Sequence, residues 1–286
     1  MSNFIFRNWR GESPFWLSFI AWTIILPLLT FLIVTLWLTQ WSMQDTPVSR
    51  MIQGTVGFLL IGAVSIWQLV GMWRASAPDR SGGRWWMTRW FARAVSVIVG
   101  TIGLLLLTPF SSGMVSLYQE ATDQDWIGQQ GHTVSVDDTN LQINGYLAWG
   151  VLGEVSRALA DNPGIQTVVL NSPGGHVGVG TRLYDEIRSR GLDTYAEEMC
   201  ASACTLAFLG GTHRYVRVGA RLGFHAVGGE GANSIGAGTN KIRSLFQEVE
   251  VPETFVQRVF ATPSDSAWYP SRKELLGANI VTDVID

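Results

Sequence analysis

Three stretches of the chain, Phe15–Leu38, Met51–Trp73 and Ala94–Tyr118, hold no charged residue at all. Each exceeds the roughly 20 apolar residues that cross a ~30 Å hydrocarbon layer, so each is predicted to span a membrane. Pro27 falls inside the first and is expected to kink it rather than end it. Beyond residue 119 the pattern changes. Thr133–Ile143 alternates polar and apolar positions as a strand does. Over 147–160, Leu147, Val151, Leu152, Val155 and Leu159 recur at helical spacing, and Asn162-Pro163-Gly164 stops the helix. Ile165–Leu170 is a β-branched run, read as a buried parallel strand. A helix over 180–190 is stopped by Gly191, and 194–196 reads as a strand. A helix over 202–209 and strands over 215–218 and 221–225 follow, and 244–260 reads as one amphipathic helix with Leu245, Val249, Phe255, Val259 and Phe260 inward. This alternation predicts an α/β fold: a parallel or mixed sheet with helices on its faces.

Charge sharpens the division. Of 286 residues, positions 1–118 carry eight Arg, no Lys and three acids, whereas the rest sums to a net charge of −8. The expected domains are an anchor over 1–118 with three transmembrane helices (about 15–38, 51–73 and 94–118), a polar connector over 119–132, and an α/β domain over 133–286. Arg7, Arg10 and the five Arg between 74 and 93 put the N-terminus and that loop in the cytoplasm by the positive-inside rule. Three crossings then deliver the α/β domain to the periplasmic side of a bacterial inner membrane, with the lipid bilayer as a partner. An acidic domain without basic clusters excludes nucleic acid as a partner. No ionisable residue lies within a span, so the anchor is read as passive.

Candidate chemistry lies in three places. Asn171-Ser172-Pro173-Gly174-Gly175 follows the buried strand and precedes a helix, where open α/β sheets bind ligands. The same residues also fit an ordinary turn. Cys200-Ala201-Ser202-Ala203-Cys204 sits at a strand-to-helix corner, with small neighbours that let the Ser202 hydroxyl project into a crevice. His225 closes an apolar strand, as a base or as a structural residue. Cys200 and Cys204 are the only cysteines, and a bridge between them would clamp the serine corner in an oxidising compartment. Two Cys with scattered His make no metal site, and no cofactor motif is present.

In this order, NSPGG, a helix with Tyr184-Asp185, Ala201-Ser202 and a strand ending in His225 resemble the proteolytic subunit of the Clp protease over 133–286. The resemblance implies the ClpP/crotonase fold. It makes Ser202 the nucleophile, His225 the general base, Gly175 and Ala203 the oxyanion-hole amides, and Gly174 and His176 substrate-binding residues. Asp265 is the candidate third residue, out of register with the helix at Glu274-Leu275. In related signal-peptide-peptidase and stomatin-operon proteases a Lys serves as base, and Lys241, beyond the Gly-rich stretch 228–239, is the candidate for that role. The implied function is a membrane-anchored serine peptidase acting on peptides or membrane-protein segments, without a cofactor and as a homo-oligomer. A catalytically silent scaffold of the same fold is the alternative.

Overall fold

The computed structural model describes residues 46–75, 86–105, 107–228 and 237–286, with a few single positions before residue 46. The chain divides into two compact units, Met1–Trp41 with Val48–Leu117, and Ser42–Pro47 with Tyr118–Asp286. Beyond residue 46 come three helices, α1 (Pro47–Ala75), α2 (Trp86–Leu105) and α3 (Leu107–Ala121). Among the described residues one helix, Pro47–Arg74 within α1, is long and apolar enough to cross a membrane by length and composition. The expected 15–38 span lies outside the described residues apart from positions 29 and 32, and the 94–118 span falls on parts of both α2 and α3.

The second unit begins with a short helix, α4 (Trp126–Gln129), whose N-cap Asp125 accepts a hydrogen bond from Gly128 N–H. The alternation over 133–143 forms a hairpin rather than the single expected strand: β1 (His132–Asp137) and β2 (Asn140–Gly145) pair antiparallel, with Asp137 opposite Asn140. The two-residue connection needs a positive φ, and Asp138 supplies it at 53°; aspartate is among the few non-glycine residues that tolerate that region. Then follow α5 (Gly150–Asp161), β3 (Thr167–Ser172), α6 (Val177–Ser189), β4 (Asp193–Ala201) and α7 (Ala203–Leu209). The unit ends with β5 (Arg214–Arg217), β6 (Arg221–Gly223), α8 (Ala237–Glu248), α9 (Glu253–Ala261), α10 (Arg272–Gly277) and β7 (Asp283–Ile285).

The sheet order is β1-β2-β3-β4-β5-β7, with β6 also on β4, and every pair beyond the hairpin is parallel. Fully buried Leu141, Ile143, Val168 and Leu170 on the strands meet Val151, Leu183 and Ile187 on the helices in one core. Such runs, apolar on both faces, are what a strand covered by helices requires. The single helix expected over 244–260 is two helices. Glu250 takes φ 59° and Pro252 caps α9, because proline has no N–H to continue the α8 ladder. α8 is tied to α6 where the Tyr184 hydroxyl donates to Glu248 Oε2 at 2.9 Å; burial, and then that bond, push the phenol well above its ordinary value. At the far edge, buried Arg214 donates to the carbonyls of Gly211, Asn279 and Ile280, fixing the return that leads to β7.

Candidate active site

Two neighbouring strands end in two different corners. After β3, the buried Ser172 hydroxyl accepts from Gly174 N–H at 3.1 Å, curling the chain through Gly174 (φ 110°) and Gly175 (φ 151°). Leu147 lies alongside: its N–H donates to Gly174 O at 2.8 Å, and its carbonyl accepts from His176 N–H at 3.0 Å. Both glycines are required by contact as well as by φ. A Cβ on Gly175 would lie 2.6 Å from the Leu147 oxygen, and one on Gly174 would lie 2.7 Å from Ser202 Cβ. The glycine corner therefore presses directly against the serine corner.

The second corner turns β4 into α7 at Ser202, with φ 56° and ψ −127°. Its N–H donates to Gly223 O at 2.8 Å, and its carbonyl accepts from Thr205 N–H (2.9 Å) and Thr205 Oγ1 (2.7 Å). β4 bulges on the way: Leu170 faces Ala196 but Ser172 faces Cys200, and Asn171 Oδ1 accepts from Met199 N–H at 3.4 Å within the shifted segment. The last turn of β4 then pairs with β6, Cys200 opposite Leu222 and Ala201 opposite Gly223. That pairing delivers His225, two residues past β6, to the same end of the sheet. The Sγ atoms of Cys200 and Cys204 are joined, with Cα atoms 5.3 Å apart across the serine.

The backbone on both sides of His225 is held. Phe224 exchanges two hydrogen bonds with Trp268, and Ala226 N–H donates to Thr262 O. The ring Nδ1 lies 2.6 Å from the Ala226 carbonyl oxygen. A carbonyl can only accept, so Nδ1 carries a proton, and in the neutral ring Nε2 is then the nitrogen with the free lone pair.

Gly175, His176, Ser202, Ala203 and His225 all line one cavity of about 290 Å³. Ile242 and Phe246 of α8 and Val259 and Phe260 of α9 give it an apolar wall. Among the described residues, neither Gly175 N–H nor Ala203 N–H has a hydrogen-bond partner. Two unpaired backbone donors beside a serine hydroxyl and an imidazole in a crevice suit the stabilisation of an oxyanion. Ser202 and His225 line the same cavity, and no hydrogen bond joins the serine hydroxyl to the imidazole.

The other expected residues lie elsewhere. Asp265 is exposed and outside the cavity lining, and the position of a third residue at His225 Nδ1 is occupied by the Ala226 carbonyl. Lys241 also lies off the lining, its Nζ 3.8 Å from Asp185 Oδ1. His176 lines the cavity but faces acids of the preceding segment: its Nε2 approaches Asp125 Oδ2 to 3.0 Å and its Nδ1 approaches Glu120 Oε1 to 3.8 Å. The first approach is an ion-pair distance without hydrogen-bond alignment.

That acidic segment is the element the sequence pattern does not reveal. Asp123 Oδ1 and Oδ2 accept from Trp149 N–H (2.9 Å) and Gly150 N–H (2.8 Å), capping α5. Glu120 Oε1 accepts from the Trp149 indole at 2.8 Å. The polar connector is thus bound to the helix start just past Leu147, the residue that supports the glycine corner. Three acids within six residues, facing a Trp and a His later in the chain, are its only trace in sequence.

No family model and no curated protein matches the chain. Solved structures similar to it include ClpP1 of Listeria monocytogenes, at 22% identity and TM-score 0.43 over 52% of this chain and 92% of that one. A variant of the same ClpP1 gives 22% and 0.42 over the same shares. The 1510-N membrane-bound stomatin-specific protease gives 20% and 0.39 over 50% of this chain and 77% of that one.

Proposed function

We propose that the chain is a membrane-anchored serine peptidase in which Ser202 is the nucleophile and His225 the general base. The observation that carries this reading is that Gly175 and Ala203, whose N–H groups have no partner among the described residues, line one cavity with Ser202 and with a histidine whose Nδ1–H is held by a carbonyl. Ser202 Oγ attacks the scissile carbonyl carbon while its proton passes to His225 Nε2. The two amides receive the oxyanion, and the imidazolium returns the proton to the leaving amine as the acyl-serine forms. Water, deprotonated by the same imidazole, then releases the acid. Holding Nδ1–H on the Ala226 carbonyl does the orienting work of a carboxylate, so the reading needs no third side chain. Each amide is worth roughly 10²–10³ in rate by analogy with known oxyanion holes.

The apolar wall of Ile242, Phe246, Val259 and Phe260 suits an apolar substrate side chain, as peptides or membrane-protein segments near a bilayer provide. Three spans with the N-terminus cytoplasmic would set the site on the periplasmic side. The Arg distribution supports that orientation, and so does a disulfide between the only two cysteines, since such bridges persist in oxidising compartments. Digestion by protease added outside right-side-out vesicles tests it, and protection there would overturn it. Assembly into a homo-oligomer is part of the same proposal, and sedimentation of the detergent-solubilised chain decides it.

A fluorophosphonate probe on the full chain tests the chemistry. Ser202→Ala abolishes labelling, and His225→Ala slows it by about 10³-fold or more. Asp265→Asn and Lys241→Ala each stay within about twofold, because neither side chain reaches the cavity. A folded wild-type protein that does not label overturns the reading. Loss of labelling in Lys241→Ala alone would move the base to that residue.

A further inference from the structure

The bridge between Cys200 and Cys204 encloses Ser202. We propose that this disulfide is a positioning element for the nucleophile, holding the serine backbone at positive φ so that its hydroxyl stays in the cavity. The inference rests on the serine-peptidase reading above and assigns the bridge a role in that same site.

Five described non-glycine residues have positive φ: Asp123, Asp138, Ser202, Glu250 and Asn279. Asp138 makes a tight hairpin turn, while Glu250 and Asn279 follow helix ends, where polar residues in that region are ordinary. Ser202 differs, because it sits between a strand and a helix with residues 203–209 all buried. Relaxing its φ to the negative side would swing α7 relative to β4. Two hydrogen bonds from Thr205 restrain the far side, and the single bond to Gly223 O restrains the near side. The disulfide adds a covalent tie between those sides. Cys200 is locked in register opposite both Ser172 and Leu222, and Cys204 lies in the first turn of α7.

Two observations separate this role from others. Both cysteines are 0% exposed, so a dithiol cannot reach the sulfurs without the corner opening first, and exchange in the folded protein is disfavoured. The ring spans a sequence separation of only 4, so it removes less unfolded-chain entropy than a bridge closing a long loop would. Its principal effect is local. It also fixes Ala203 N–H, which lies between the serine and Cys204, so nucleophile and oxyanion donor are set together.

The test uses the full chain in detergent, as wild type and as the Cys200→Ala/Cys204→Ala double variant, with fluorophosphonate as the probe. Labelling is resolved into a maximal rate and a half-saturating concentration, and hydrogen exchange is followed at the Ser202 and Ala203 amides. The expected result is a maximal rate lower by about 100-fold with half-saturation within about twofold, since a misplacement of ~1 Å has that effect on rate. Exchange at Ser202 N–H, now bonded to Gly223 O, is expected to quicken by about tenfold or more. A folded double variant with wild-type labelling and wild-type exchange overturns the proposal. If the double variant does not fold, Ser202→Gly is added, because glycine takes positive φ freely. Recovery of a cooperative melt in that triple variant supports the role, and failure to recover overturns it. Should wild type itself not label, the peptidase reading fails, and the amide exchange alone still decides whether the bridge holds the corner.

Discussion

The corner after β3 and the corner after β4 solve one geometric problem with opposite chemistry. Both must turn a parallel strand into a helix through positive φ, at 110° and 151° in the first and 56° in the second. The first uses two glycines, which take these angles without a Cβ penalty and leave room for Leu147 and Ser202 to touch the backbone. It offers only a backbone N–H. The second uses a serine, which brings a hydroxyl but also a conformational cost of order 1–3 kcal/mol. It is held by Thr205, Gly223 and the 200–204 bridge. A site that needs only a donor can be built from permissive backbone, whereas one that needs a nucleophile at the same angle requires restraint from its surroundings.

The largest effect that would sharpen this contrast comes from Gly175→Ala. The new methyl would sit 2.6 Å from Leu147 O and 2.7 Å from Leu147 N, both backbone atoms that cannot swing aside. The Gly175 amide must then move, and labelling is expected to fall by about 10²–10³-fold, the range for losing one oxyanion donor. Melting temperature should fall as well, because the hydrogen bonds between Leu147 and 174–176 are disturbed. Wild-type labelling in this variant would show that the glycine corner supplies no donor to the reaction.

Next in size is Asp123→Ala. Its carboxylate takes the N–H groups of Trp149 and Gly150 at the start of α5, two and three residues past Leu147. Losing such a cap costs about 1–2 kcal/mol, read as a shift in the urea midpoint at unchanged slope. Labelling should fall less than in Gly175→Ala, since only the support of the glycine corner is loosened. An unchanged midpoint would mean that the connector adds nothing to the domain.

Ser202→Gly acts in the opposite direction. It removes the hydroxyl and ends labelling, but it also relieves the strained corner. Stability should rise by about 1 kcal/mol, or a few degrees in Tm, whereas Ser202→Ala should bring no such gain. Equal melting of the two variants would remove the strain half of the contrast.

Much of this arrangement is legible in the sequence because it follows from residue types in order. Of the run Ile165–Leu170, residues 167–170 form the first part of β3, which runs on through Asn171 and Ser172; the glycines of NSPGG, Ser202 and His225 then fall at or just past strand ends because the strands precede them. The hairpin is marked only by Asp137-Asp138-Thr139-Asn140, four polar residues that interrupt the alternation, and the regular pattern on either side of them reads as one continuous strand. The break at Pro252 is better masked, since Leu245, Val249, Phe255 and Val259 stay on one helical face across it and all become buried. The partner of His225 has no sequence signature at all. A search for an acid points to Asp265, whereas Ala226 supplies its carbonyl, which every residue type carries. The acids of 119–125 read as a solvated linker because their partners, Trp149, Gly150 and His176, come much later in the chain.

The smallest effect is a control away from both corners. At the start of α10, Glu274 accepts from the Ser271 N–H and Ser271 Oγ, both at 2.8 Å, while Ser271 Oγ accepts from Glu274 N–H. The backbone bond from Ser271, then its hydroxyl, and then Arg258 hold this carboxyl below the usual carboxylate range. A depressed carboxylate contributes stability that is fully present above its unfolded value of about 4.3 and is lost as pH falls through the folded value. Protection of the Ser271 amide, measured as its exchange rate relative to the intrinsic rate at each pH, should therefore fall on acidification below about pH 4.3, and Glu274→Gln should remove that acid step. Neither Glu274 nor Ser271 lines the cavity, so Glu274→Gln should label at the wild-type rate at neutral pH. A loss of labelling there would mean that the corners depend on the whole C-terminal segment rather than on their own restraints, and the contrast between a permissive and a restrained corner would no longer be local.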